Sequence, residues 1–581
     1  MKLKSKIKTP LAVGVAVAMI GAGVGYSQFI RGGGTAFNAT GVDAQRTSWV
    51  REDRFISKEA FEKGGFKLQW KIKVNNQPRE LASVVGATTS GGGLTKPLNV
   101  INSTNNTLTT VDNDTGIVGW TRHFDVSVPS ASTMACPGGM TANSSRPVNL
   151  EAAPPAAARG GAFPAAGRGG GSYESYIGQS GEGLPDDLVV RSRGAFRGPA
   201  RGPAAPPTYK VPFGGGRFGS GGGFYVLTSD GVLHTVADGS GVELQAPVKF
   251  LAPNAHVSDL TAIPEDNDKW HSYVVYAATS NNCGGVKNGV WAINLADDSK
   301  PITHFETGAS PEGDPAFSSD GTVFVAVGSG PAGSAYSHAI VALAPRTLTI
   351  KDWFTAPNAD FSSGPTIIKH GDEELVAAAT KDGRVYLLDA ASLGGSDHKT
   401  PMFVSPALST AKTSYAPQAL AAWQDADHAD WIAVPFVGVG PSGAGVSGNG
   451  KTTNGGLVAM KITDDGGKMA LTPAWVSQDM ISPLPPVIVN GVVFAASSGE
   501  YYPASGKTMS AADRAKQSVP AIMYALDASN GKQLWSSGAM ITSFADSGIW
   551  TSLGQTYIAT YDGTVYAFGF PMNRYVTASG Q

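Results

Sequence analysis

The sequence predicts an all-β protein, an eight-bladed β-propeller of four-stranded antiparallel blades whose last blade is closed by the N-terminal strand. Three observations predict this fold. Short aromatic and β-branched runs alternate with Asp-Gly turns, and one spacing of Asp, Gly and Trp recurs along the chain. The last repeat also lacks an outer strand, which the N-terminal region can supply. A ring closed in this way leaves no long exposed sheet edge.

The clearest hairpin lies near the C-terminus. The run from Tyr557 to Tyr561 is followed by Asp562-Gly563 and by a second run, Thr564 to Phe568. Asp-Gly between two such runs favours a type I′ turn, in which both central residues have positive φ. The same dipeptide recurs at Asp230-Gly231 and at Asp382-Gly383. The chain is therefore predicted to be built from hairpins.

A second recurring element follows the hairpin. Residues 525–535 have the form Ala-x-Asp-x-x-x-Gly-x-x-x-Trp, and residues 110–120 repeat it with Thr in place of Ala. The Asp can bind turn amides, the Gly can adopt a left-handed conformation, and the Trp can lie flat against the next blade. The predicted docking residues of the two strict copies are Asp112, Gly116, Trp120, Asp527, Gly531 and Trp535.

Weaker copies bring the predicted number of blades to eight, or to seven if one copy is an insertion. Trp353 and Trp475 end copies at looser spacing, whereas the copies at Ala292 and Leu387 have no Trp at the docking position. The repeat anchors lie near Thr110, Thr235, Ala292, Ala342, Leu387, Ala459, Ala525 and Ala567.

The N-terminal region can complete the final repeat. No Trp follows the run that ends at Phe568, but Trp70 lies in a strand-like run that begins at Phe66. We predict that this run is the outer strand of the last blade and that Trp70 is its docking residue. The propeller then spans residues 60–572 and is followed by a tail, 573–581.

These segments resemble the tryptophan-docking motif of the quinoprotein alcohol dehydrogenase-like (PQQ-repeat) β-propellers. The resemblance implies PQQ on the ring axis, held by stacking, basic side chains and a calcium ion, with an Asp as general base. Those enzymes typically carry two adjacent cysteines over the cofactor, and this chain has no adjacent pair. No Glu/Asn/Asp calcium set stands out either. We therefore assign no catalytic residue, no metal ligand and no cofactor-binding residue.

Three aspartates lie near predicted inner-strand starts and could face a ligand in the axial channel. They are Asp259, Asp314 and Asp546. Capping of a turn is the more common role of such an Asp.

The N-terminus has the pattern of an export signal. Lys2, Lys4, Lys6 and Lys8 precede an apolar run from Leu11 to Val24, and cleavage after Ser27 is predicted. An uncleaved anchor is the alternative, although the run is shorter than the roughly 20 residues of a spanning helix. The expected location is periplasmic or extracellular, without a transmembrane domain if the signal is cleaved. Residues 28–59 are interpreted as a lead-in.

The only two cysteines, Cys136 and Cys283, could form one disulfide in an oxidising compartment. Sequence spacing alone cannot place them within bonding distance. Their pairing therefore stays an open possibility at this point.

Three insertions interrupt the repeats: one of low complexity at residues 125–223, and two that are predicted to be flexible, at residues 438–456 and 500–520. The centre of the first, residues 152–207, is rich in Ala, Pro, Gly and Arg and is predicted to be a loop of low complexity. Its arginines could contact an anionic partner, and a solvated spacer is the simpler alternative. A short helix is expected near residues 510–518.

Composition and motifs narrow the function. Charged residues make up 15% of the chain and the net charge is −2, which argues against nucleic-acid binding. No phosphate loop, Gly-x-Ser-x-Gly or His-Glu-x-x-His motif is present. Three hypotheses stand: an exported scaffold whose face binds a protein or small molecule, a divergent PQQ- and calcium-dependent alcohol or sugar dehydrogenase, and a glycan-active propeller.

Overall fold

The computed structural model describes residues 41–571, with several gaps. The gaps are 52, 54, 75–80, 92–93, 104–105, 114, 127–135, 137–147, 149, 151–222, 238–239, 265–272, 332, 358, 409–418, 444, 465, 467, 503–510 and 553. Some strand and helix residues are described by their backbone alone. The predicted signal 1–27, the tail 573–581 and the centre of the first insertion lie outside the described residues.

The described secondary structure is nearly all β. The first strands are β1 Trp49–Val50, β2 Lys67–Lys73, β3 Leu81–Gly91, β4 Leu94–Ser103, β5 Thr107–Asp112, β6 Val118–His123, β7 Gly223–Leu227, β8 Val232–Ala237, β9 Val248–Lys249, β10 His256–Pro264, β11 Tyr273–Ser280, β12 Gly289–Asn294, β13 Ile302–Glu306, β14 Ala316–Phe317, β15 Val323–Val327, β16 Ala339–Leu343 and β17 Ile350–Thr355. They are followed by β18 Thr366–His370, β19 Glu373–Ala379, β20 Val385–Asp389, β21 Phe403–Val404, β22 Ala421–Gln424, β23 Asp430–Val437, β24 Ser447–Gly448, β25 Gly455–Asp464, β26 Met469–Val476, β27 Val487–Val489, β28 Val492–Ser497, β29 Ile522–Asp527, β30 Gln533–Ser536, β31 Ala545–Ser552, β32 Gln555–Thr560 and β33 Thr564–Gly569.

Helices are few and short among the described residues. They are α1 Lys58–Glu62, α2 Ala511–Gln517 and three single 3₁₀ turns at Cys283–Gly285, Gly395–Asp397 and Gly538–Met540. Helix α2 lies where the sequence predicted one. No helix in the described part of the chain is long and apolar enough to cross a membrane.

The strands form eight sheets arranged as a β-propeller. In chain order they are sheet 1 (β3–β6), sheet 2 (β7–β9), sheet 3 (β10–β13), sheet 4 (β14–β17), sheet 5 (β18–β21), sheet 6 (β22–β26), sheet 7 (β27–β30 with β1) and sheet 8 (β31–β33 with β2). Pairing is antiparallel except where β1 joins β27 and β24 joins β26. The predicted all-β propeller of mostly antiparallel blades is confirmed.

The prediction that every blade has four strands is wrong. Sheets 6 and 7 have five strands, because short parallel strands from the second insertion and the lead-in cover one edge of each. Sheet 2 has three described strands, since its first described strand begins at Gly223, directly after a gap. Seven sheets thus have four strands or more.

The predicted type I′ geometry of the Asp-Gly turns is also wrong. Gly231, Gly383 and Gly563 have φ between 77° and 83°, but the preceding aspartates have no positive φ. In the last of these turns, the carboxylate of Asp562 accepts the Thr560 hydroxyl at 2.6 Å and the Thr564 amide at 3.2 Å. These bonds hold the Asp in an ordinary conformation, so that only the Gly is left-handed.

Tryptophans on outer strands lie over glycines of the next sheet. A Cβ built on Gly116 would come within 2.7 Å of Trp70, and one on Gly241 within 2.7 Å of Trp120. Trp475 is fully buried over Gly531 and donates its indole N–H to the Ala528 carbonyl at 2.8 Å. The shared spacing of the motif therefore corresponds to a shared contact between neighbouring sheets.

The remaining seams use other side chains. Trp353 stacks on His398 of the next sheet, with ring centroids 3.7 Å apart, and Trp535 packs edge-on against Phe66. In the copies at Ala292 and Leu387, the residues opposite the anchor are Thr303, which donates to the Arg346 carbonyl, and Phe403, which packs in the core.

Sheet 8 combines the early strand β2 with the last three strands, β31, β32 and β33. Strand β2 pairs antiparallel with β33, and Trp70 lies opposite Ala567. Trp120 and Trp535 lie opposite Thr110 and Ala525 in the same way. Trp70 thus occupies the same position in its sheet as the two tryptophans of the strict motif copies.

Candidate functional site

The first strands of successive sheets face the ring axis. Strands β14, β18, β22, β27 and β31 contact one another in that order, and β31 also contacts β3. The axial edge of such a strand carries backbone N–H groups without a partner in its own sheet. We call the face with the turns between first and second strands the lower face, and the opposite one the upper face.

Part of the lead-in lies on the ring axis, beside the inner strands of the sheets. Residues Gly41–Val50, here called the axial segment, accept backbone hydrogen bonds from the inner strands of four successive sheets. The bonds are Phe317 N–H to Ala44 O (2.8 Å), Ile367 N–H to Gln45 O (2.8 Å), Ala422 N–H to Thr47 O (2.8 Å) and Ile488 N–H to Ser48 O (2.9 Å). Strand β1 then continues along β27 as a parallel strand. The axial segment therefore satisfies strand edges that an open channel would leave to water.

Alternating backbone conformations let one short segment reach four sheets. Gly41, Val42, Arg46 and Ser48 all have φ between 53° and 76°. For a β-branched residue such as Val42, this conformation is strained. Each left-handed residue turns the chain and points successive carbonyls toward different sheets.

Asp43 holds the axial segment in its loop. Its carboxylate accepts the Thr47 amide at 2.8 Å and the Thr47 hydroxyl at 2.5 Å, and it pairs with Arg51 at 2.8 Å. The Ser48 amide donates to the Gly41 carbonyl at 2.8 Å. Ala44, inside this loop, is fully buried.

Arg46 reaches out from the axial segment to β10 and to Pro315, which directly precedes β14. Its side chain is 4% exposed. The guanidinium donates to the Pro315 carbonyl at 2.7 Å and to the Thr261 hydroxyl at 2.6 Å. Thr261 belongs to β10, so the axial segment also joins sheet 3 to sheet 4.

The chain leaves the axis at the lower face beside sheets 7 and 8. The carboxylate of Asp53 accepts the amides of Phe55, Ile56 and Gly554 at 2.7–2.9 Å. Burial raises the pKa of Asp53, and these backbone hydrogen bonds only partly offset the rise. Asn490, in the turn between β27 and β28, donates to the Asp53 carbonyl. These contacts lead the chain outward to α1 and β2.

A second piece of chain packs against the axial segment. The Val148 amide donates to Ala262 of β10 at 2.9 Å, and the side chain of Val148 is 4% exposed. Gln45 donates its side-chain amide to the Leu150 carbonyl and, at 3.2 Å, to the Phe317 carbonyl. Val148, Leu150 and Ala44 share one apolar cluster. The first insertion thus contributes to the filling of the axis.

The structure joins the two cysteines. Cys136 and Cys283 form a disulfide with Cα atoms 5.5 Å apart. Cys283 lies in the 3₁₀ turn between β11 and β12 on the upper face, and it is 2% exposed. The bond fixes the start of the first insertion to sheet 3.

The three aspartates that were predicted near inner-strand starts lie in or next to the first strands of three different sheets. Asp314 directly precedes Pro315, whose carbonyl binds Arg46, whereas Asp259 lies within β10 and Asp546 within β31. The side chains of Asp259 and Asp546 lie outside the described set. Among the described residues, no group of three His, Cys, Asp or Glu side chains could hold a metal ion.

Sequence reasoning missed the axial segment, which it treated as a lead-in without a role. Its signal is weak, because Gly41, Asp43, Thr47 and Ser48 are ordinary turn residues. Nothing in their spacing shows that their carbonyls face four different sheets. The packing of Val148 and Leu150 could not be read from the sequence either, because they lie at the edge of a low-complexity insertion.

The residues that lie on the ring axis beside the inner strands do not fit PQQ. A flat cofactor bound there would have to displace carbonyls that bind Phe317, Ile367, Ala422 and Ile488. Arg46, the basic residue of the axial segment, is engaged with protein oxygens. We therefore derive no catalytic step through PQQ.

Comparison with known proteins supports the fold. No protein-family model and no curated protein match the chain. A quinohemoprotein alcohol dehydrogenase from Comamonas testosteroni has a TM-score of 0.52 at 14% identity, over 95% of this chain and 84% of that one. A europium-containing methanol dehydrogenase has a TM-score of 0.52 at 10% identity, over 92% and 98%. BamB from Moraxella catarrhalis has a TM-score of 0.43 at 12% identity, over 88% and 99%.

This chain has a β-propeller fold similar to that of the quinoprotein dehydrogenases. The resemblance that the tryptophan-docking motif predicted is confirmed for the fold. At 14% identity or less, the likeness extends to fold alone, and activity has to be argued from the axis.

Proposed function

We propose that the protein is an exported propeller that acts as a non-catalytic scaffold and binds a protein or small molecule at one face. The proposal rests on the position of the axial segment. Four inner strands donate to its carbonyls where the fold resemblance implies a cofactor. Because the chain itself occupies the ring axis, the two faces of the ring are the surfaces left for binding.

Burial supports the same proposal. Ala44 and Val50 are fully buried, and Gln45, Arg46, Thr47 and Ser48 are each at most 6% exposed. Displacing them would leave several backbone and side-chain groups without partners, at about 1–3 kcal/mol each. A bound cofactor would have to supply this free energy as well as its own binding.

We further propose an eight-bladed ring in which β2 closes the last blade. The pairing of β2 with β33 and the position of Trp70 over Gly116 support closure. We also propose periplasmic or extracellular export, which the predicted signal and the disulfide support.

Calorimetric titration of the purified chain with PQQ and calcium tests the proposed function. We expect no binding heat and no PQQ-dependent oxidation of primary alcohols or aldoses. The control is a variant in which glycine replaces Ala44 and Gln45. This variant keeps the two backbone carbonyls that accept from the inner strands, but it loses the packing of the two side chains. Saturable PQQ binding with calcium-dependent alcohol oxidation by the unmodified chain would contradict the scaffold proposal and favour the dehydrogenase.

A further inference from the structure

Four titratable side chains form a row across the seam between sheets 4 and 5 on the upper face. Nζ of Lys381 lies 3.1 Å from Oε1 of Glu312 and 3.7 Å from Oδ2 of Asp360. Nδ1 of His338 lies 2.6 Å from the other oxygen of Asp360. We call these four residues the seam cluster. All four side chains are partly exposed, so solvent protons reach the cluster directly.

The backbone fixes two members of the seam cluster to each sheet. The Glu312 amide donates to Ala326 of β15 at 2.9 Å, and His338 directly precedes β16, so both lie at the edge of sheet 4. The Lys381 amide donates to the Asp360 carbonyl at 2.7 Å, just beyond the end of β19, so both lie at the edge of sheet 5. Each sheet therefore contributes one carboxylate and one basic group to the seam.

Glu312 holds a proton more tightly in the folded chain than an exposed glutamate does. Burial raises its pKa above 4.5, the ammonium group of Lys381 offsets only part of this rise, and the charge of Asp360 adds to it. A Cβ built on Gly328 would lie 2.5 Å from Oε1 of Glu312, so the carboxyl group packs closely over the backbone beyond β15. The ionised form therefore costs stability above the raised pKa, and this cost is lost as the pH falls toward 4.5.

Three further charged side chains lie on the same connections between strands, among the residues that the structure describes: Asp314, Asp382 and Arg384. Asp382 and Arg384 pair with each other at 3.3 Å. The charges that shift the pKa of Glu312 are those of Lys381 and Asp360. The titration of Glu312 is thus linked to the other members of the seam cluster.

We propose that the seam cluster is a pH-sensitive switch in which Lys381 changes its partner, from Glu312 at neutral pH to Asp360 in mild acid. A protonated Glu312 no longer attracts the ammonium group, and Oδ2 of Asp360 already lies 3.7 Å from it. His338 contacts the other oxygen of Asp360, so this one carboxylate can hold both cations once His338 is protonated. The upper face becomes more positive at this seam in acid.

Double-mutant cycles on the full chain test the switch. Denaturant unfolding of K381M, E312Q, D360N and the double variants K381M/E312Q and K381M/D360N is measured at pH 8 and at pH 4.5. More than half of Glu312 is protonated at pH 4.5, because its pKa lies above that value. The coupling between Lys381 and Glu312 should be about two- to fivefold in the unfolding equilibrium constant at pH 8 and should fall at pH 4.5.

The coupling between Lys381 and Asp360 should change in the opposite direction. It should rise between pH 8 and pH 4.5 in the unmodified background. In the E312Q background, where the competing carboxylate is absent, it should be equally large at both pH values. This second cycle separates a change of partner from a general effect of acid on the chain.

The pair of Lys351 with Asp320 is the matched control. Its nitrogen–oxygen distance is also 3.1 Å, and Lys351 is 44% exposed, against 43% for Lys381. Burial would raise the pKa of Asp320, but hydrogen bonds from Ser318, Thr322 and Lys351 outweigh it and hold the pKa well below 3.8. The coupling in the cycle of K351M and D320N should therefore be the same at pH 8 and at pH 4.5.

Two results would overturn the switch. One is a coupling between Lys381 and Glu312 that is absent at pH 8 or as large at pH 4.5 as at pH 8. The other is a coupling between Lys381 and Asp360 that does not rise in acid or is absent in E312Q. The test uses neither PQQ nor a binding partner, so its failure leaves the scaffold proposal untouched.

Discussion

Single residues decide how one sheet meets the next. Gly531 has φ of 73°, and a Cβ there would lie 2.4 Å from the ring of Trp475. Glycine is thus required twice, by the backbone and by the tryptophan that covers it. The sequence predicts this requirement because the offsets from Gly to Asp and Trp recur, whereas the residue under Trp353 is His398, which the motif does not predict.

Replacement of Gly531 by Ala should lower the free energy of unfolding by roughly 2–4 kcal/mol, because the methyl group displaces Trp475. The control is Gly491→Ala. Gly491 has a similar φ of 77° but nothing within 4 Å of the added Cβ, so only the backbone cost of about 1–2 kcal/mol applies. Denaturant titration measures both. Equal losses would show that Trp475 does not depend on the glycine.

A surface ion pair should give a pH-dependent share of stability. Lys58 of α1 lies 2.5 Å from Asp527. The hydrogen bond to Asp527 raises the pKa of Lys58. Burial would raise the pKa of Asp527, but the bonds from Lys58 and Ser529 outweigh it, and the pKa falls below 3.8.

Lys58→Met should therefore be destabilising at neutral pH and should lose its effect in acid. The stability that Asp527 contributes through this pair is fully present above pH 3.8, and it is lost as the pH falls through the lowered pKa of Asp527. The stability that Lys58 contributes is fully present below pH 10.5, and it is lost as the pH rises through the raised pKa of Lys58. Unfolding of both chains from pH 2 to 8 measures the difference. Lys516→Met, in an exposed pair with Asp513, is the control and should show no such profile.

At the scale of elements, the hairpins were predictable and the axial segment was not. Hairpins such as β32–β33 depend on local signals, the Asp-Gly turn and its β-branched flanks. The axial segment depends on bonds to strands several hundred residues away, for example from Ile488 to Ser48. Local propensity carries no information about such distant partners. For the same reason, the parallel strand β24 was not foreseen within an insertion expected to be flexible.

Arg46→Met should destabilise the ring by about 2–4 kcal/mol. Arg46 is nearly buried, and Met cannot donate to the Pro315 carbonyl or the Thr261 hydroxyl. The comparison variant is Arg384→Met. The Arg384 side chain is 41% exposed, so this replacement should lower the free energy of unfolding by less than about 1 kcal/mol. Thermal and denaturant unfolding measure both. A loss for Arg46→Met no larger than that of the control would mean that this side chain does not join sheets 3 and 4.

At the scale of the molecule, the proposed ring closure depends on the pairing of β2 with β33. A ring of sheets is stable only if its last seam is as well packed as the others. The seam between sheets 8 and 1 contains Trp70, which is 8% exposed and donates to the Asn113 carbonyl at 2.7 Å. The sequence pointed to Trp70 because it is the one Trp in a strand-like run before the first repeat.

Trp70→Ala should cost about 3–5 kcal/mol, because it leaves a cavity in the closing seam. Trp291 offers a control, since it lies partly exposed on β12 and stacks on His304. Trp291→Ala should cost clearly less. Calorimetry of both variants checks the order, and a reversed order would contradict closure through Trp70.

The axial segment occupies the ring axis. The amides of Phe317, Ile367, Ala422 and Ile488 would face water in an open channel, so their hydrogen exchange distinguishes an occupied axis from an open one. We expect all four amides to exchange as slowly as amides inside the sheets. Exchange at the rate of solvent-exposed strand edges, in the oxidised and unmodified chain, would contradict it.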